Sequence, residues 1–280
     1  MTMRTLREEE RTFFEREGYL LLKSFYSAED IAKLNDAYWE IWKQLMAEGK
    51  IMQAPNRPFD SLFPRLRDYH WENEEILDFI LEQQVIGLLQ ELINEEILVC
   101  QTSYYFKAPG AKGLPMHQDN YSIGASPDTT YAIWVSLDAS GQENGGLQVV
   151  PGSHVFDILS PEIVPERINV YGKQINIPDG YEAIELPTEP GDVVIFNGNI
   201  LHGSTDNTST NQFRRAIVTH YARQSVEKIT LNYSNLVLPN RERTRRRLNA
   251  EPRVVETKDT LFEFKDAKFF DQIINRQSKG

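Results

Sequence analysis

The sequence predicts a mainly β protein with flanking α-helices. From about residue 97 onward, short apolar runs alternate with turn residues such as Pro151-Gly152 and Pro190-Gly191, which is typical of a sandwich or barrel. Before that point, apolar residues recur at helical spacing in two long stretches, residues 31–45 and 74–93. The sequence therefore predicts a helical first third and a β core behind it.

The helical part can be divided into elements. The charged segment 8–17 predicts a helix, and residues 18–22 predict a short strand. Ser27 and Asp30 have the spacing of a capping box, so a helix is expected to begin there. Residues 55–63 contain two prolines and predict a loop, and residues 74–93 predict a further helix. The aromatic residues and methionines on the helical stripes are expected in the core.

The β part is expected to contain five main strands. The apolar runs that predict them are 99–107, 131–137, 147–150, 193–196 and 213–221. Residues 156–181 are less regular and predict a long loop over one end of the core. We expect a single domain over residues 1–280, with a helical part at about 1–95, a β core at about 96–225 and a C-terminal extension at about 226–280.

The composition limits the partners and the cellular compartment to be expected. The chain has 30 basic and 41 acidic residues, a net charge of −11, which argues against nucleic acid as a partner. Cys100 is the sole cysteine and lies among apolar residues, so we expect a buried thiol and a reducing compartment. No apolar run is long enough for a membrane span, and the first ten residues lack a signal-peptide core. These features predict a cytoplasmic protein that does not bind membranes, and they leave the oligomeric state open.

Three residues predict a metal site. His117 and Asp119 are two positions apart, so on a strand they would point to the same side, and a second strand would have to bring His202 to them. Two imidazoles and one carboxylate form the facial set that holds Fe(II) and leaves positions open for substrate and oxygen. A lone His-X-Asp is usually a surface turn, so the hypothesis depends on the surrounding pattern.

His154 is a competing ligand candidate, for which a structural or surface role is expected because it follows a turn. His220 has the strand parity of Arg214, and a hydrogen-bonding role in the core is expected for it, whereas His70 lies in no motif.

Arginines supply two further candidates. Arg214 and Arg215 follow His202 on the next predicted strand, and alternation lets only one of them face the interior. A buried arginine needs an anion, because burying a charged guanidinium without a partner costs several kcal/mol of free energy. The alternative is that both are exposed at a strand end. The arginines at 241, 243 and 245–247 are predicted to lie on a solvated helix face, with an anion clamp near the pocket as the functional alternative.

Taken together, these motifs resemble the phytanoyl-CoA dioxygenase family. The resemblance rests on His117-Gln118-Asp119, on the run from Gly145-Gly146 to His154, on Gly191-Asp192 leading to His202-Gly203-Ser204, and on Phe213-Arg214. It covers roughly residues 13–223. It implies a double-stranded β-helix, or jelly-roll, core and the cofactors Fe(II), 2-oxoglutarate and O2.

The resemblance also implies roles for particular residues. His117, Asp119 and His202 would ligate iron, and Arg214 would bind the distal carboxylate of 2-oxoglutarate while Arg215 faces outward. The further residues that it places at the cosubstrate are Ser204, Gln118, Trp134, Gln101, Ser103 and Tyr105.

The sequence thus predicts a dioxygenase that hydroxylates, or otherwise oxidises, an unactivated C–H bond of a small molecule, releasing succinate and CO2. A natural-product or amino-acid-like metabolite is the expected substrate class. One alternative is a non-catalytic jelly-roll that binds a metal or metabolite. Another is an RNA-associated protein that uses the arginines between 241 and 247.

Overall fold

The computed structural model of the protein describes residues 4–55, 58–159, 161–163 and 173–250. Residues 251–280 of the predicted C-terminal extension, and residues 160 and 164–172 of the predicted long loop, lie outside the described residues. The α-helices are α1 (Glu8–Glu17), α2 (Ala28–Ala47), α3 (Pro58–Leu62), α4 (Glu74–Ile80), α5 (Gln83–Ile93) and α6 (Asp119–Ile123). Short 3-10 helices span Tyr69–Trp71 and Ser153–Val155.

The strands begin early in the chain and dominate after α5. They are β1 (Tyr19–Leu22), β2 (Leu66–Arg67), β3 (Ile97–Tyr105), β4 (Thr130–Ser136), β5 (Leu147–Val149), β6 (Glu162–Ile163), β7 (Lys173–Gln174), β8 (Ile184–Leu186), β9 (Val193–Asn197), β10 (His202–Ser204), β11 (Ala216–Arg223), β12 (Lys228–Ile229), β13 (Leu236–Val237), β14 (Arg243–Thr244) and β15 (Arg247–Leu248).

Two antiparallel sheets form the core. The larger has the order β1-β9-β4-β11-β3-β13-β14 with β2 beside β3, and the smaller has the order β10-β5-β8. They pack face to face, since Trp134 and Val218 of the larger sheet share a buried apolar cluster with Leu147 and Val149 of the smaller. Two facing antiparallel sheets are the architecture of a jelly-roll. The predicted fold class, mainly β with flanking helices, is confirmed.

The helices cover the outer face of the larger sheet. Tyr38 of α2 stacks on Tyr104 of β3 with ring centroids 4.1 Å apart, and both belong to the largest buried cluster, together with Ile86 and Leu89 of α5. Burial of such side chains contributes about 1.5–3 kcal/mol each. Because the helices occupy the outer face, the inner face of the sandwich remains for the site.

Local signals set the helix boundaries. Ser27 caps α2, since its side chain accepts from the Asp30 N–H while the Asp30 carboxylate accepts from the Ser27 N–H, as predicted. The stretch predicted as one helix over 74–93 is instead two, because Glu82 caps a new helix by accepting from the Val85 N–H at 3.1 Å. The predicted loop at 55–63 includes the short helix α3.

The register of β3 and β11 decides which side chains face inward. Ala216, Val218 and His220 lie opposite Tyr105, Ser103 and Gln101, respectively. Directly opposed residues point to the same side of an antiparallel pair, and Ala216 and Val218 belong to the cluster between the sheets. This set therefore points inward.

The arginine-rich segment differs from its prediction. It forms the short strands β14 and β15, not a helix. Arg241 pairs with Glu74 and Asp78 of α4, and Arg247 pairs with Glu227 at 2.7 Å. The Arg246 guanidinium donates to the carbonyls of Val226 and Gln224. These contacts join the segment to the rest of the protein, and none of these arginines lines the pocket described below.

Two further observations bear on the predictions from composition. Cys100 is fully buried, as predicted, and burial raises the pKa of its thiol. None of the described helices combines the length and the apolar character needed to cross a lipid bilayer.

Candidate metal and cosubstrate site

Backbone pairing brings His117 and His202 together. The His117 N–H donates to the His202 carbonyl at 2.9 Å, and the His202 N–H donates to the His117 carbonyl at 3.1 Å. This isolated antiparallel bridge places the two rings side by side, with centroids 4.2 Å apart. The second strand that the sequence requires is β10, which begins at His202.

Asp119 joins the two histidines, although not from a strand. It is the first residue of α6, so the prediction that His117 and Asp119 share one strand is wrong. Its Oδ1 lies 3.6 Å from His117 Nε2, and its Oδ2 lies 3.5 Å from His202 Nε2. One potential ligand atom from each residue falls within 4.8 Å of the others, so the three could hold one metal ion.

The backbone orients both imidazoles. The Nδ1 atom of His117 lies 2.8 Å from the Pro115 carbonyl, and the Nδ1 atom of His202 lies 3.1 Å from the Ile200 carbonyl. Since a carbonyl only accepts, each Nδ1 carries the proton and each Nε2 keeps its lone pair. Both lone pairs belong to the nitrogens that approach Asp119.

Electrostatics favour the protonation state that binds a metal. Burial lowers the pKa of His202 to about 4, although Asp119 opposes the shift, so this ring is neutral at neutral pH. Burial alone would raise the pKa of Asp119, but the nearby His220 and His202 rings hold it well below its usual value. A neutral imidazole and a charged carboxylate are the forms that coordinate metal ions.

Arg214 is a buried cation in the same pocket. It is only 3% exposed, and burial lowers the pKa of its guanidinium to about 10. Its Nε donates to the Gly145 carbonyl at 2.9 Å, and its Cζ lies 5.8 Å from the centre of the Trp134 ring. Among the described residues, no carboxylate forms an ion pair with it. Arg215 faces outward and forms a two-pronged pair with Asp138, at 2.9 and 2.7 Å.

Lys107 is a second buried cation, which the sequence analysis did not select. Its Nζ donates to Ser204 Oγ at 2.7 Å, and the Arg214 N–H donates to its carbonyl at 3.2 Å. The available signal was strand parity, since Lys107 is two residues beyond Tyr105 on the alternating run that faces inward.

Gly145 contacts both cations, since its carbonyl accepts from Arg214 Nε and its Cα side faces the Lys107 side chain. Its φ is +93°, and a Cβ built there would lie 2.3 Å from Lys107 Cε. Glycine is required on both counts, because other residues are strained at positive φ and any side chain would displace the lysine. Gly145 thus leaves the Lys107 side chain the space from which it reaches Ser204.

Three of the six other predicted residues reach the pocket. Tyr105, Trp134 and Ser204 line it together with the metal-binding candidates and Arg214. Leu147, Phe196 and Val218 form apolar parts of its wall. The His117 side chain is 33% exposed against 7% for His202, so the pocket opens on the side of His117.

Three predicted residues lie elsewhere. Gln101 and Ser103 are buried and point inward, but they do not line this pocket. Gln118 is buried and turned to the opposite side from its neighbours. Its amide donates to the Asn199 carbonyl at 2.7 Å and accepts from the Leu159 N–H at 2.7 Å, so it joins two loops.

The remaining histidines separate into two groups. His220 lines the pocket, and its Nε2 lies 2.9 Å from Asp119 Oδ2. His154 and His70 lie outside the pocket. The first is 3.1 Å from the Glu15 carbonyl, and the second is 2.9 Å from Thr102 Oγ1.

Comparison with known proteins gives consistent matches. The family model for phytanoyl-CoA dioxygenase (PhyH) matches residues 14–216. The 2-aminoethylphosphonate dioxygenase of uncultured bacterium HF130_AEPn_1 is 29% identical over 232 residues, covering 81% of this chain and 85% of the relative. Dioxygenase lolE1 of Epichloe uncinata is 30% identical over 220 residues, covering 76% and 81%. The structure of EctD from S. alaskensis with 2-oxoglutarate and 5-hydroxyectoine superposes with a TM-score of 0.64 at 18% identity, covering 79% and 78%, and shows the same fold.

Proposed function

The chain belongs to the phytanoyl-CoA dioxygenase family, as its motifs predicted, and we propose that it is a hydroxylase that uses Fe(II), 2-oxoglutarate and O2. The proposed reaction oxidises an unactivated C–H bond of a small molecule and releases succinate and CO2. One relative is named for 2-aminoethylphosphonate and one neighbour was solved with 5-hydroxyectoine, and both favour a compact polar metabolite as substrate.

The observation that carries the proposal is the orientation of the ligand atoms. The backbone fixes both Nδ1 protons, so two Nε2 lone pairs and one carboxylate converge within 4.8 Å. The Asp119 side chain is 12% exposed, and its Oδ1 lies 3.6 Å from His117 Nε2, a nitrogen that carries a lone pair and no proton. A buried carboxylate oxygen needs a cation or a donor. His117, Asp119 and His202 therefore fit a ferrous ion bound on one face.

The two buried cations fit the cosubstrate. Arg214 lies on the same pocket wall as Ser204, whose hydroxyl is held by Lys107. The distal carboxylate of 2-oxoglutarate would find a guanidinium fork and a hydroxyl within one pocket, and the Lys107 ammonium group donates to that hydroxyl. Trp134 lies against the guanidinium and limits the positions available to that carboxylate.

The protein's own part in the reaction is to bind the iron and the cosubstrate and to shield the reacting groups from water. O2 would be the oxidant that breaks the C–H bond, with bound iron activating it and 2-oxoglutarate donating two of the electrons. His117, Asp119 and His202 would hold the iron, and the pocket beside them would admit the cosubstrate. Leu147, Phe196 and Val218 keep water from the reacting groups, and low exposure keeps His202 neutral as a ligand.

Succinate formation tests the proposal. The Fe(II)-loaded protein should convert 2-oxoglutarate to succinate in the presence of O2 and candidate small molecules, and Asp119→Ala should abolish the conversion. Equal turnover by both proteins would defeat the proposal. Calorimetric titration with 2-oxoglutarate distinguishes the proposed enzyme from the non-catalytic alternative. A protein that binds iron but not 2-oxoglutarate would be a metal-binding jelly-roll without this activity.

A further inference from the structure

We propose that His220 is a positioning residue that donates a hydrogen bond from Nε2 to Asp119 Oδ2 and so directs the carboxylate toward the metal. The inference rests on the proposed function, since it takes Asp119 as a metal ligand. His220 is in β11, 6% exposed, and its inward direction follows from its register opposite Gln101.

Distances single out this contact. His220 Nε2 lies 2.9 Å from Asp119 Oδ2, whereas the nearest nitrogens of His117 and His202 lie 3.6 and 3.5 Å from carboxylate oxygens of Asp119. The imidazole closest to the carboxylate is therefore not one of the two predicted ligands.

The hydrogen-bonding needs of the two side chains also pair Asp119 with His220. Asp119 Oδ2 and His220 Nε2 are at hydrogen-bond distance without full alignment, and neither has another partner among the described residues. Buried polar atoms in such a position are completed by the nearest group of opposite character. For these two atoms that group is the other member of the pair.

The ring of His220 also differs from the ligand rings. The Nδ1 atoms of His117 and His202 each face a backbone carbonyl, which fixes the proton there and frees Nε2 for a metal. His220 Nδ1 has no such partner among the described residues. Beside a carboxylate, the ring must carry a proton on Nε2 to avoid repulsion between lone pairs. His220 is thus arranged to donate to Asp119 and not to bind the metal itself.

The consequence for the metal site follows from general behaviour. A carboxylate ligand uses one oxygen for the metal, and its second oxygen is oriented by a hydrogen-bond donor. Loss of such an outer partner typically lowers metal affinity or activity by about 10–100-fold. His220 would bind Oδ2 and leave Oδ1, the oxygen nearer to His117, for the ion.

The test compares two amides of different reach. In His220→Gln the amide nitrogen can reach the position of Nε2, whereas in His220→Asn it stops near the position of Nδ1. We expect His220→Asn and His220→Ala to weaken Mn(II) binding by about 10–100-fold and to alter the visible absorption of the anaerobic Fe(II)·2-oxoglutarate complex. His220→Gln should restore both. His70→Gln makes the same change at a buried histidine outside the site and should leave metal affinity unchanged.

Two results would overturn the assignment. One is Mn(II) affinity in His220→Ala and His220→Asn equal to that of the unaltered protein. The other is a loss of Mn(II) affinity in His220→Gln as large as that in His220→Ala, with urea unfolding showing that the variant is folded. That result would mean that the imidazole ring itself, and not a donor at the position of Nε2, is required. If the unaltered protein binds neither Mn(II) nor 2-oxoglutarate, the proposed function fails, and that outcome is distinct from failure of the His220 role.

Discussion

His117 and His202 exchange both of their backbone hydrogen bonds, at 2.9 and 3.1 Å, across a bridge that joins parts of the chain 85 residues apart. The pairing sets the separation of the two rings before any ligand arrives. A metal site assembled by backbone pairing needs little rearrangement to bind its ion. Binding of the ion to this preformed site should therefore stabilise the folded protein.

Metal ions should raise the free energy of unfolding. A ligand that binds only the folded state at 100 times its Kd adds about 2.7 kcal/mol. We expect Mn(II) at that excess to shift the urea midpoint of the unaltered protein accordingly, and to leave the midpoint of Asp119→Ala unchanged. A shift of the same size in both proteins would place the ion elsewhere.

Arg214 should control the affinity for 2-oxoglutarate. Loss of one partner of a buried, hydrogen-bonded charge pair costs about 2–5 kcal/mol, or roughly 30-fold and more in Kd. We expect a loss of this size for Arg214→Gln, measured by calorimetry with Mn(II) in place of iron. Arg214→Lys should lose less, because it keeps the charge without the fork.

The matched control for this change is the adjacent arginine. Arg215 faces outward and pairs with Asp138, so Arg215→Gln should keep the affinity for 2-oxoglutarate even if it lowers stability. Equal losses from Arg214→Gln and Arg215→Gln would indicate a general effect of charge and not a binding site.

Gly145→Ala should weaken 2-oxoglutarate binding through Lys107. The residue has φ +93°, and the new Cβ would lie 2.3 Å from Lys107 Cε. Gly180 has φ +83° with no atom within 4 Å of its hypothetical Cβ. Both substitutions should cost about 1–2 kcal/mol of stability from left-handed backbone strain. Only Gly145→Ala should also raise the Kd for 2-oxoglutarate, and a matching rise in Gly180→Ala would contradict the role of Lys107.

His70 should make stability depend on pH. Burial lowers the pKa of this ring to about 4, with the Arg243 charge adding to the effect, against about 6.5 in an unfolded chain. Below about pH 6.5 the unfolded state binds the proton more readily, so this contribution is complete above that pH and is lost as the pH falls toward 4. For a shift of this size the loss between about pH 7.5 and about pH 5 is roughly 2 kcal/mol.

The comparison variant is His70→Asn, whose amide can keep the contact with Thr102. Urea unfolding at both pH values should show a smaller pH dependence for the variant, by roughly the 2 kcal/mol attributed to this ring. The contribution of His202, whose pKa burial also lowers, is present in both proteins and cancels. Equal pH dependence in the two proteins would remove His70 as the cause.

Local periodicity was enough to predict the fold class and the longer helices and strands. The capping box at Ser27 and the apolar spacing after it predicted α2, and the alternating run up to Lys107 predicted β3. These features are readable because burial on one face of a helix or strand leaves a period of 3.6 or 2 in the sequence itself. The same alternation predicted that only one of Arg214 and Arg215 faces inward.

Tertiary structure decided which distant side chains meet. No local pattern indicates that Lys107 reaches Ser204, that His220 approaches Asp119, or that Gln118 turns away to join two loops. Nor did spacing reveal that Asp119 begins a helix where a strand was expected. The physical reason is that hydrophobic periodicity indicates only which side of a helix or strand is buried. The residue that a buried side chain meets across the core depends on strand register and on the connections between strands. The sequence determined which residue types could bind the metal, whereas strand pairing and the helix that begins at Asp119 brought them together.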